Sequence, residues 1–173
     1  MHNVNLSALE QTAVRGRSDP ATVRTPLELK GEWQVGGGPQ FRGTIPYPGG
    51  EVEFAADFPP PMGGTGSAPN PLAYCFWGGL ACYAMTFALE AAREGVGLTA
   101  LRAVMRAEVD QSRALGLSER PPVERIEWEL EVDADADADE ATIERLKRLA
   151  DERCPGAYCI RNPIALETRV ARS

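Results

Sequence analysis

From Leu72 to Leu89 the chain carries no charge: Leu72-Ala73-Tyr74-Cys75-Phe76-Trp77-Gly78-Gly79-Leu80-Ala81-Cys82-Tyr83-Ala84-Met85-Thr86 leads on to Phe87-Ala88-Leu89 before Glu90. Asn70 is placed to cap a helix and Pro71 to be its first residue. Gly95-Val96-Gly97 supplies the break after about Glu94. At ~1.5 Å per residue such a helix is roughly 36 Å long, with Gly78-Gly79 as a place to bend or split it. Apolar side chains point to nearly every side of it, so it must be covered on nearly every side. In a chain of 173 residues that cover is expected from a partner subunit as well as from the chain's own sheet.

The flanking segments give an α+β pattern. Residues 1–24 lack periodicity and read as an irregular lead-in, leaving 25–173 as a single domain. Leu27, Leu29 and Trp33 alternate with polar residues, Phe41–Ile45 reads as a short strand, and Glu51-Val52-Glu53-Phe54-Ala55 alternates over one buried face. Residues 58–71 are loop by composition, with Pro59-Pro60-Pro61, Gly63-Gly64 and Asn70-Pro71. Leu101, Val104, Met105 and Val109 favour a strand. Ile126, Trp128, Leu130 and Val132 alternate with Glu127, Glu129 and Glu131 as another. The acidic run Asp133–Asp139 lacks the mid-loop glycine and final glutamate of a calcium loop, and reads as a turn leading into a helix. Ile143, Leu146, Leu149 and Ala150 form that helix's apolar stripe, up to Cys154. Asn162–Val170 alternates as a last strand.

Charge and composition exclude several function classes. A net charge of -7 disfavours nucleic acid and anionic membrane surfaces as partners. The glycines within 71–92 and the Glu and Arg at its end argue against a bilayer span. No secretion signal opens the sequence, so a cytoplasmic location with reduced thiols is expected. The one histidine, His2, falls in a terminus expected to be mobile, which disfavours Ser-His-Asp and Cys-His catalysis and His-based metal sites.

The four cysteines carry the most chemistry. Cys82 lies in the apolar helix; Cys154 closes the amphipathic one and precedes Pro155, where the backbone is pushed extended. One thiol to attack and one to resolve is what a two-cysteine peroxidase needs, and the more exposed, mobile junction suits the resolving thiol. Cys159 could compete for that role, while Cys75 reads as core packing. Against this stand Cys82 as a small buried hydrophobe and a four-cysteine zinc site, whose knuckle spacing is absent. Arg42, one of sixteen arginines, lies where it could reach across a cleft. Gly63-Gly64-Thr65-Gly66 weakly suggests a phosphate cradle, with no Lys-Ser/Thr after it.

Gly63-Gly64-Thr65-Gly66-Ser67-Ala68-Pro69-Asn70-Pro71, Gly79-Leu80-Ala81-Cys82-Tyr83-Ala84-Met85-Thr86, Ile126-Glu127-Trp128-Glu129-Leu130 and Glu152-Arg153-Cys154-Pro155 together resemble the OsmC/Ohr family of osmotically inducible and organic hydroperoxide resistance proteins. Order and spacing agree over roughly residues 27–170. The resemblance implies an α+β fold of mostly antiparallel sheets packed on long central helices, with two chains interlocked as a homodimer. It implies Cys82 as the peroxidatic cysteine, Cys154 as its resolving partner, and Arg42 as the arginine that stabilises the thiolate. The substrate would be a small organic hydroperoxide, the reductant an external dithiol such as a lipoylated protein, and no cofactor or metal is required. Leu72, Phe76, Trp77 and Tyr83 would line an apolar substrate pocket. Where the hydroperoxide-resistance branch has a glutamate, this chain has Leu72. Either another carboxylate (Glu51, Glu53 or one from a partner chain) replaces it, or the activity is altered. The alternatives are a non-catalytic protein of the same fold that binds a small hydrophobic ligand, and a protein whose buried thiols are purely structural.

Overall fold

Asn70 caps the long helix as its position predicts: its side-chain oxygen accepts the Leu72 N–H at 2.9 Å, and helix α2 runs over Pro71–Arg93. Gly78 and Gly79 do not interrupt it. The structure, a computed structural model, describes residues 1–172. These form two compact units, Asn5–Phe76 in one, and Met1–Val4 with the chain from Trp77 onward in the other. The fold is α+β with antiparallel sheets, as the sequence pattern predicts.

The first unit contains helix α1 (Leu6–Ser18) and strands β1 (Lys30–Trp33), β2 (Phe41–Tyr47) and β3 (Gly50–Ala56), paired in the order β1-β2-β3. The β2–β3 hairpin pairs Tyr47 with Gly50, whose φ of 144° a side chain would strain. The first turns of α2 dock on β3: the Tyr74 hydroxyl donates to the Ala55 carbonyl at 2.9 Å, and its ring meets Phe54 edge-on at 5.2 Å. Helix α1 and the 3₁₀ turn after it (Pro20–Val23) replace the irregular lead-in read over 1–24. None of the helix's residues is buried, so there is no apolar stripe to read. Local bonds define it instead: Asn5 accepts the Ala8 N–H, and Arg17 pairs with Glu10.

In the second unit, β4 (Leu98–Ala107) and β5 (Ile126–Ala134) form a two-stranded antiparallel sheet, followed by α3 (Glu140–Arg153) and α4 (Pro155–Arg161). Ile126, Trp128, Leu130 and Val132 take the inner side of β5, as their alternation predicts. Asp139 closes the acidic run by capping α3 through the Thr142 N–H at 2.8 Å. Tyr83, Phe87 and Ala91 of α2 pack with Leu146 and Ala150 of α3, with Cys154 between α3 and α4, and with Ala157 of α4. His2 is tied to this unit, its Nε2 lying 2.8 Å from the Val96 carbonyl, so it is not the free terminus expected.

One further expectation is corrected. Asn162–Val170 forms no strand among the described residues, and Ile164, Leu166 and Val170 are exposed; alternation without a neighbouring edge has nothing to pair with. For helix α2 the sequence expects cover from a partner as well as from its own chain, and within this chain Trp77 is 62% and Met85 72% exposed. By length and composition α2 also suffices to cross a membrane, contrary to the sequence reading, yet here it packs a core face and carries the buried, ion-paired Glu90. Leu146, 0% exposed at the centre of that core, is expected to cost about 2–5 kcal/mol on truncation to Ala, whereas Leu117→Ala, at a 75% exposed site, should change stability by under about 0.5 kcal/mol; urea denaturation measures both.

Candidate functional site

Pro155 ends α3 but also begins α4 at the position where its missing N–H costs nothing. Cys154 thereby becomes the cap between two helices, its sulfur accepting the Ala157 N–H at 3.3 Å. The turn aims the thiol inward: Cys154 is 1% exposed, not the mobile, accessible thiol the Cys-Pro junction suggests. Its Sγ lies 3.6 Å from the Sγ of Cys82, which is half-buried on α2. The two sulfurs, 72 residues apart in sequence, are thus in contact as free thiols.

Two glycines make the approach possible. A Cβ on Gly156 would come within 2.9 Å of Cys82 Cβ and 3.2 Å of its Sγ. A Cβ on Gly79, one turn before Cys82, would meet Ile160 Cδ1 at 2.7 Å and Trp128 at 2.9 Å. With no side chains at these points, α4 lies directly on α2. Burial pushes the Cys82 thiol above its ordinary pKa; the Gly156 N–H works in the opposite direction, and the neighbouring Cys154 adds to the rise.

Polar ties surround the pair. Tyr83, beside Cys82, donates to Asp151 at 3.1 Å, and Asp151 also accepts from Lys147 at 2.9 Å and Arg161 at 2.7 Å. Burial opposes the charge on Asp151, but those cations outweigh it and hold the carboxyl below its usual range. Burial and the Asp151 carboxylate push the Tyr83 phenol upward, so it stays protonated. A cleft of about 250 Å³ opens beside this network, with Tyr83, Trp128 and Ile160 as its apolar wall and Lys147 and Arg161 at its polar side; neither Cys82 nor Cys154 lines it. Glu90 bonds Arg93 of its own helix and Arg153, the residue before Cys154.

The other residues read from the sequence distribute as follows. Tyr83 is buried in the core at the cleft; Trp77 is largely exposed. Phe76 (buried), Leu72 (half-buried) and Arg42 belong to the first unit. Arg42, on β2, is ion-paired with Glu53 on β3, a diagonal neighbour across the hairpin. Cys75 is exposed and not core, and Cys159 is exposed on α4. The loop read as a phosphate cradle is closed on a carboxylate: Asp57 Oδ2 accepts the N–H and hydroxyl groups of both Thr65 and Ser67, and those bonds, the Thr65 hydroxyl foremost, hold its carboxyl far below the usual range. An anion would meet that charge, not free N–H groups. Also in this unit, Trp33, Phe41, Ala56, Phe58 and Pro71 form an apolar cleft of about 260 Å³. Sequence reasoning missed Gly156, Asp151, Arg161, Glu90 and Arg153. Glu90, the lone charge closing an apolar run, was the one legible signal among them.

A family model described as OsmC-like protein matches residues 64–169. Among solved structures, an OsmC-like protein from Mycoplasma pneumoniae is 15% identical, with 82% of this chain and 91% of that one covered and a TM-score of 0.59. An organic hydroperoxide resistance protein from Legionella pneumophila is 17% identical over 80% and 92%, with a TM-score of 0.54. Another, from Elizabethkingia anophelis, is 18% identical over 82% and 93%, with a TM-score of 0.53. No curated protein matches significantly.

Two outcomes follow from the geometry. Because Cys82 holds its proton more tightly than an ordinary thiol, iodoacetamide should label it at pH 7 more slowly than exposed Cys75 and Cys159, with a midpoint above the normal thiol range; peptide mass spectrometry across pH reads this. The same rise means that this group's contribution to stability is present below the unfolded thiol's pKa and is lost as pH climbs through the folded one. Gly156→Ala should push Cys82 away and abolish diamide-induced linkage of Cys82 to Cys154, which non-reducing peptide mapping detects.

Proposed function

Since the chain belongs to the OsmC-like family, we propose that it is a thiol-dependent peroxidase that reduces organic hydroperoxides through Cys82 and Cys154. The observation that carries this reading is the 3.6 Å separation of the two sulfurs. A disulfide of ~2.05 Å then needs a closure of only about 1.5 Å, and no refolding. The Cys82 thiolate attacks the terminal peroxide oxygen, the O–O bond breaks, and the alkoxide leaves to take a proton as the alcohol. Cys82 is left as sulfenic acid. Cys154 gives up its proton and its sulfur attacks that of Cys82; the S–O bond breaks, the departing hydroxide takes a proton to leave as water, and a Cys82–Cys154 disulfide forms. An external dithiol, such as a lipoylated protein, restores both thiols by exchange. The apolar wall of Tyr83, Trp128 and Ile160 suits the alkyl part of the substrate.

Arg42, which the family resemblance would make the thiolate-stabilising cation, is ion-paired with Glu53, a carboxylate of the kind that Leu72 does not provide. A homodimer would cover the exposed Trp77 and Met85 of α2, and sedimentation should give twice 18.7 kDa. Four free cysteines suit a reducing, cytoplasmic setting. The raised Cys82 thiol and the apolar cleft near Trp33 favour a second reading, a non-catalytic protein that holds a small hydrophobic ligand.

One equivalent of cumene hydroperoxide separates the two. The peroxidase reading expects a Cys82–Cys154 peptide by mass spectrometry and loss of peroxide consumption in Cys82→Ser. Equal consumption by wild type and variant would remove it.

A further inference from the structure

Glu90 is a buried charged residue that the peroxidase chemistry leaves unused. It is 1% exposed, two turns beyond Cys82 on α2, and its two oxygens are divided between two helices. Oε1 accepts from Arg93 Nη1 at 2.9 Å, within α2. Oε2 accepts from Arg153 Nη1 at 2.5 Å, at the end of α3. Arg153 is covalently joined to Cys154, whose N–H still closes the last turn of α3 on the Ala150 carbonyl at 3.0 Å. A buried carboxylate held by two guanidiniums is closely placed, because breaking either bond leaves one of its buried oxygens without that donor. Glu90 and Arg153 therefore tie the helix that carries Cys82 to the residue before Cys154.

On the peroxidase reading above, we propose that Glu90 and Arg153 are positioning residues for the resolving step, holding Cys154 where it can close on oxidised Cys82. Neither touches the reacting sulfurs. Attack on peroxide needs Cys82 alone, whereas resolution needs both sulfurs within about 1.5 Å of bonding distance, and a misplacement of about 1 Å can cost two orders of magnitude in rate. Loss of the tie should thus slow the second step and leave the first intact.

The test follows one turnover of the full chain with one equivalent of cumene hydroperoxide, trapping sulfenic acid with dimedone and mapping Cys82 by mass spectrometry. In the wild type the disulfide should outrun the trap. In Arg153→Ala, Cys82 oxidation should keep its rate while disulfide formation slows roughly tenfold to a hundredfold, so the dimedone adduct accumulates. Arg153→Lys should restore much of the rate, and Glu90→Gln, which keeps the side chain's volume but not its charge, should also accumulate the adduct. Urea denaturation of each variant separates this from unfolding, which would lower both steps together and overturn the proposal. Disulfide formation at the wild-type rate in folded Arg153→Ala and Glu90→Gln would also overturn it and leave the peroxidase reading standing. A wild type that gives neither adduct nor disulfide would overturn both.

Discussion

The close approach of α4 to α2 is the contact on which the site depends. It is made by absence: Gly79 and Gly156 present no side chain, so the two backbones meet and the sulfurs of Cys82 and Cys154 come to 3.6 Å. A methyl group at Gly156 would occupy the space the Cys82 side chain holds. The turn through Cys154 and Pro155 completes the arrangement, since a continuous helix through that point would not turn α4 back with Cys154 as its cap.

Around that contact the charges are arranged as fasteners. Glu90 reaches Arg153 on one side, and Tyr83, Asp151, Lys147 and Arg161 form a second network on the other. Each network joins a residue of α2 to one of α3 or α4. Of these charges only Glu90 is buried, and a buried carboxylate is costly to leave without its donors, which favours one register between helices. The raised Cys82 thiol fits the same picture: the packing that brings the sulfurs together also partly buries Cys82, and burial disfavours the thiolate.

Much of this frame was legible in the chain. Asn70-Pro71 and Gly95 delimit α2 because cap chemistry is local, and β5 is legible because its alternation matches a half-buried strand. The Cys82–Cys154 pair came from resemblance and junction chemistry, not from spacing. What local reasoning missed is equally specific. Pro155 was read only as a stop, although the first position of a new helix satisfies the same ring; that reversed the predicted exposure of Cys154. Helix α1 has no buried face, so it left no periodicity. Cys75 reads as core from the apolar run, but it lies on the exposed side of α2 beside the buried Phe76. The tie from Glu90 to Arg153 spans 63 residues and depends on how α2 and α3 pack, which a single sequence does not encode locally.

The central claim is that Cys82 and Cys154 act as one two-electron couple. Equilibrating the native protein against a graded thiol–disulfide buffer, then counting labelled cysteines by mass spectrometry, tests it most directly. The account predicts a single transition in which Cys82 and Cys154 lose their label together, while Cys75 and Cys159 form no link within the chain. A chain in which Cys82 pairs with another cysteine, or in which no two-electron transition occurs, would contradict it.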